Sequence, residues 1–111
     1  MSPEIQKQAI RLLCKTVNET AVKSGFWAGD HNFAEKIALT HSELSEALEG
    51  HRNSDPPDQH LPHLRNVVVE LADAVIRIFD LCEAHEYDLG EAILAKMAYN
   101  ATRPYKHGKK Y

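Results

Sequence analysis

Neither a long apolar run nor an excess of cationic side chains occurs in this 111-residue chain, and each absence removes a class of function. No segment comes near the roughly 18 apolar residues of a membrane-spanning helix. The first twenty residues, MSPEIQKQAIRLLCKTVNET, carry charges throughout and lack the apolar block of a secretory leader. The expectation is a cytosolic, cytoplasmic protein with no membrane partner. Lys and Arg number 13 against 16 Asp and Glu, a formal net charge of -3. That balance offers no basic field to a nucleic-acid polymer. The one local basic concentration, Arg103, Lys106, Lys109 and Lys110, is too small a footprint for a duplex. Cysteine is scarce as well. Cys14 and Cys82 sit in helical patterns rather than at the spacing of a disulfide framework or zinc ligands, and read as reduced interior residues. Period-2 alternation of useful length is absent, as are internal repeats and low-complexity segments. Residues 1–111 therefore read as a single all-α domain.

Four helices can be laid out from their punctuation. Ser2-Pro3 is a helix start, and Ile5, Ala9, Leu12, Leu13 and Val17 follow at helical spacing to about Lys23. SGFWAGDHN breaks the pattern. Asn32 with Glu35 is a capping signature that opens a second helix, predicted to stop at Gly50. The polar, proline-rich HRNSDPPDQHLP is a loop within the domain. The third helix is predicted from about Leu61 to Glu86, with Leu64, Val67, Val68, Leu71, Val75, Ile78, Phe79 and Cys82 in one stripe. Asp88 with Glu91 opens a fourth, ending near Ala101, before Pro104 and Gly108 forbid continuation. The fold expected is a four-helix bundle-like domain.

Two of these helices carry acids three residues apart: Glu43 and Glu46 in HSELSEALEG, Glu70 and Asp73 in VVVELADAVIRIFD. An acid pair of this kind on a wet helix face costs only about 0.2–0.5 kcal/mol, and a solvated face is the plain reading. Yet Leu39 falls between Glu43 and Glu46 on a helical wheel, and Val69 and Ile76 adjoin Glu70 and Asp73, so the acids look into an interior or a subunit contact. There, carboxylates 5 Å apart at an effective dielectric of 20 repel by roughly 3 kcal/mol, which calls for protons or a cation. Oxygen-only donors favour Mg²⁺, or Mn²⁺, over zinc. Arg77, one turn after Asp73, offers an alternative partner for it. Of the histidines, His41 lies off the acid face and is expected to be partly buried and hydrogen-bonded; no Glu-x-x-His pair of a di-iron bundle occurs. Trp27 offers a surface for stacking on a nucleobase, or else anchors a core or interface.

Glu43-x-x-Glu46, 23 intervening residues, then Glu70-x-x-Asp73, followed by KMAYNATRPYKHGKK, resembles the MazG-like nucleotide pyrophosphohydrolases of the all-α NTP pyrophosphatase superfamily, over about Gly25 to Lys110. The resemblance implies Mg²⁺ held by Glu43, Glu46, Glu70 and Asp73. It also implies a nucleoside triphosphate substrate contacted by Lys96, Asn100 and Arg103, with Tyr105 and Lys109 as further contacts, and a homo-dimer or homo-tetramer with sites near subunit contacts. The expected reaction is hydrolysis of a (deoxy)nucleoside triphosphate to a monophosphate and pyrophosphate, with Glu46, then Glu43, as general base. Many members carry Glu-Glu-x-x-Glu, where this chain has Ser42 in the first position. The rival expectations are a non-catalytic helical oligomerisation module and a nucleotide-binding sensor.

Overall fold

Three side chains at predicted helix starts accept the backbone N–H three residues on. Ser2 takes that of Ile5 at 3.2 Å, Asn32 that of Glu35 at 3.1 Å and Asp88 that of Glu91 at 3.0 Å. They begin α1 (Pro3–Lys23), α2 (Phe33–Arg52) and α4 (Leu89–Ala101) in a computed structural model that describes all residues, Met1–Tyr111. With α3 (Asn66–Ala84) between them, the chain is all-helical and without strands, and it ends in a short 3₁₀ turn, Tyr105–Gly108.

Two boundaries depart from expectation. Helix α2 runs through Gly50 to Arg52, because Gly50 keeps helical geometry and serves another purpose. It is buried against α3, and a Cβ added there would come 2.3 Å from Asn66 Oδ1. Helix α3 starts at Asn66 rather than near Leu61. Its first turn is capped from outside by Asp55, whose Oδ1 accepts the Val67 N–H at 2.9 Å, while residues 56–66 are pinned by Asn66 N–H to Pro56 O and Asp58 N–H to Leu64 O, each 2.8 Å.

Packing proceeds as a series, α2 on α3, α3 on α1 and α1 on α4. Gly90 admits the last contact, since a Cβ there would meet the Lys7 carbonyl at 2.7 Å. Lys7 with Glu91 at 2.8 Å and Arg11 with Asp88 tie the two helices together. Arg11 holds the Asp88 carboxyl down to about 2.

An apolar stripe ordinarily faces the core. Here the small and polar faces do. The buried positions of α2 are Thr40, Glu43, Ala47 and Gly50, and those of α3 are Ala74 and Leu81. Much of the large stripe of α3 stands open, with Val68, Leu71, Val75 and Ile78 each 40–52% exposed while Val67, Phe79 and Cys82 are half-buried, and Phe33, Ile37, Leu44 and Leu48 of α2 are exposed too. The accessible surface is 8342 Å², whereas a folded monomer of 12.5 kDa presents roughly 6,200 Å². The radius of gyration is 16.3 Å, against about 13 Å for a closed domain of this length.

Candidate functional site

The i, i+3 spacing of each acid pair puts both members on one helix face, and packing turns those faces toward each other. One carboxylate oxygen each from Glu43, Glu46 and Glu70 lies within 4.8 Å of the other two. Glu43 is buried, Glu70 half-buried and Glu46 exposed, so the cluster opens to solvent on the Glu46 side. Burial, then the hydrogen bond and charge of Glu46, push the Glu70 carboxyl up to about 7. Asp73 stands outside this triad. It adjoins Glu43, and its carboxyl is raised by burial and by the Glu43 charge, while Arg77 works in the opposite direction.

Arg77 pairs across the helix contact: its Nε donates to Glu43 Oε1 at 3.0 Å. It makes no ion pair with Asp73 in its own helix.

Beside Glu43 and Asp73 opens a cavity of about 510 Å³ between α1, α2 and α3. Thr16 and Thr20 of α1, with Ser24 at its end, line one wall, Ile76, Arg77 and Asp80 of α3 another, with Phe26 and Lys36 also lining it. That volume lies in the range of small-ligand sites, and its lining mixes apolar surface with a few directed polar groups. Asp80 was not singled out by sequence, although it lies seven residues beyond Asp73 and hence on the same helix face. Its carboxylate accepts the Trp27 indole N–H at 2.9 and 3.0 Å and the Asn18 amide at 2.9 Å. Trp27 is thus an anchor tying the segment after α1 to α3. Its ring lies 4.3 Å from the Lys36 ammonium and edge-on to His31 at 4.8 Å, and it does not line the cavity.

A second unforeseen group supports Glu70. Asp58 is 5% exposed and accepts the backbone N–H groups of His60 and Leu61, both at 3.0 Å, and the Asn66 amide at 3.1 Å. Asn66 Nδ2 also reaches Glu70 Oε1 at 3.3 Å. The sequence carried a signal for each: an Asx-turn residue in DPPDQHL, and an amide four residues before an acid in one helix.

The residues assigned to the substrate lie elsewhere. Lys96 and Asn100 lie in α4, which packs on α1, with Arg103 just beyond its end, and none of them bonds to the four acids or lines the cavity. Lys96 and Arg103 gather over the Tyr99 ring at 4.9 and 5.4 Å, and Asn100 Oδ1 is buried without a partner. Tyr105 and Lys109 are exposed in the terminal segment. His41, expected to be partly buried and hydrogen-bonded, is exposed, because the buried face of α2 runs through Thr40, Glu43, Ala47 and Gly50 and His41 falls to one side of it on the helix. No helix is long and apolar enough to cross a membrane. Comparisons with protein-family models, with curated proteins and with solved structures find no match for this chain.

Proposed function

We propose that the protein is a divalent-metal-dependent nucleoside triphosphate pyrophosphohydrolase of MazG-like type, cleaving a (deoxy)nucleoside triphosphate between the α and β phosphates. The observation that carries this reading is the meeting of Glu43, Glu46 and Glu70, from two helices, within 4.8 Å. The donor set is oxygen-only and fits Mg²⁺ or Mn²⁺. A carboxyl held near 7 by burial and a neighbouring acid is also one that a cation would relieve. When bound, such an ion neutralises phosphate charge and acidifies a water.

In this reading Glu43, Glu46 and Glu70 hold the ion, with Asp73 alongside. Glu46 takes the proton from the attacking water. It is the exposed member and has no cationic partner, whereas Glu43 is buried and already gives an oxygen to Arg77. The neighbouring cavity receives the nucleoside, with Asp80 at its far end.

Lys96, Asn100, Arg103, Tyr105 and Lys109 reach the phosphates, in the same reading, from α4 and the segment after it in a second copy within a homo-dimer or homo-tetramer. The open stripes of α2 and α3 and the surface in excess of a closed monomer's support such an assembly. The test is product identity. Incubation with Mg²⁺ and a panel of standard and damaged nucleotides is expected to release pyrophosphate and not orthophosphate. No turnover of any member, with metal shown to be bound, refutes hydrolysis.

The same open stripes favour a second reading, a helical assembly module without catalysis, and a nucleotide sensor lies between the two. In the module, Glu70→Ala changes no biochemical property, and Mg²⁺ with nucleotide leaves the melting temperature unmoved. Calorimetry with a non-hydrolysable analogue separates sensor from module.

A further inference from the structure

Asn66 stands at the first position of α3, and four separate contacts fix it. Its backbone N–H donates to Pro56 O at 2.8 Å. Its side-chain nitrogen donates to Asp58 Oδ1 at 3.1 Å and to Glu70 Oε1 at 3.3 Å, which uses both amide hydrogens. Its Oδ1 rests against Gly50 of α2, in space that any Cβ would fill. The amide cannot be reversed, because that would turn its oxygen toward two carboxylates.

Asp58 cannot give way either. It is buried and held by the N–H groups of His60 and Leu61 as well as by Asn66. Burial raises its carboxyl, and those three donors more than offset that, leaving it below the usual carboxylate range. A stiff loop therefore holds one hydrogen of the amide nitrogen, and the other hydrogen holds Glu70.

Resting on the metal-site reading above, we infer that Asn66 is a positioning residue for Glu70, transmitting the rigidity of the Asp58 loop and of Gly50 to the carboxylate that completes the triad. With Oε1 held, Glu70 has its carboxylate plane set before an ion arrives. Partners of this outer kind typically contribute about 10- to 100-fold to metal affinity. They do so by removing rotamer freedom that the ligand would otherwise lose on binding.

Mn²⁺ binding to the full chain, followed by calorimetry and by the electron paramagnetic resonance signal of free Mn²⁺, tests the inference. Asn66→Ala is expected to weaken binding about 10- to 100-fold. Asn66→Ser, comfortable at a helix start and too short to join Asp58 to Glu70, is expected to do the same, and decides the matter should Asn66→Ala not fold. Asp55→Ala is the structural control. It removes the outside cap of the same helix start, through Val67 N–H, without touching Glu70 or Asn66. It is expected to lower the melting temperature and leave Mn²⁺ affinity at the wild-type value.

Wild-type affinity in the Asn66 variants, or an equal loss in Asp55→Ala, overturns the positioning role while the metal site stands. A wild-type protein that binds no Mn²⁺ saturably overturns the metal site, and the inference falls with it.

Discussion

Glu70 is where the chemistry of single residues is most exposed to measurement. Its carboxyl titrates near 4.5 in the unfolded chain and about 7 in the folded one. A raised folded value means that the protonated form is favoured by folding. The associated stability is complete below about pH 4.5 and lost as pH climbs through about 7. Asp73, also raised, acts in the same direction. Asp88 acts oppositely, but its contribution disappears only in acid, as pH falls toward 2. The melting temperature of metal-free protein is therefore expected to fall between about pH 5 and about pH 8, and Glu70→Gln is expected to flatten the fall. Mg²⁺ should restore stability most at the alkaline end. A flat wild-type profile in that interval would show that Glu70 ionises normally.

Arg77 gives a second residue-scale expectation. Removing it leaves the buried Glu43 carboxylate without its one cation. Arg77→Ala should cost metal-free protein about 1–3 kcal/mol in urea denaturation, and less with Mg²⁺ present. At this scale the two acid steps were legible, because spacing alone puts each pair on one helix face, whereas the place of Asp73 outside the triad was not. Their supports were not. The sequence placed Arg77 beside Asp73 and said nothing of Asp80 or Asn66. The partners Glu43, Trp27 and Asp58 are 34, 53 and 8 residues distant in the chain from the groups they bind.

At the scale of elements, capping chemistry is local, so the starts of α1, α2 and α4 could be read directly from Ser2, Asn32 and Asp88. Where a boundary depended on a remote group, reading failed. The start of α3 waits for Asp55, eleven residues upstream of Asn66, and α2 passes Gly50 because that glycine is spent on a close approach instead of a stop. Gly90 has the same use between α4 and α1. A methyl group there would strike the Lys7 carbonyl, which is backbone and cannot swing aside. Gly90→Ala is expected to loosen α4 from α1 at a cost of about 1–3 kcal/mol. Hydrogen exchange is the measurement, with protection falling in α4 before α2 and α3. Unchanged exchange in α4 would mean that the helices already stand farther apart.

For the whole molecule, the accessible surface is the decisive quantity. An excess of about 2,000 Å² per chain over a closed monomer is of the size that permanent interfaces bury. The apolar stripes of α2 and α3 supply its chemistry. Sedimentation is expected to give a dimer or tetramer rather than 12.5 kDa. Leu71→Lys, on the open stripe of α3, should shift the protein toward monomer and lower its stability together. A well-behaved monomer in the wild type would leave the stripes without an occupant and remove the shared-site arrangement.

What the chain's own order of residues determined is short-ranged: four helices, the caps of three of them, and two acid steps each confined to one face by a 3.6-residue turn. Only the tertiary structure decided which face went inward. A helix with bulky apolar residues on one side and Thr40, Glu43, Ala47 and Gly50 on the other can approach a neighbour most closely on its small side. Doing so brings the acids of α2 and α3 together and leaves the larger apolar area for another surface to cover. The position of α4, against α1 and away from the acids, was likewise beyond periodicity. It turns on Gly90 meeting a backbone carbonyl and on ion pairs with Lys7 and Arg11, contacts between residues about 80 positions apart that no local pattern encodes.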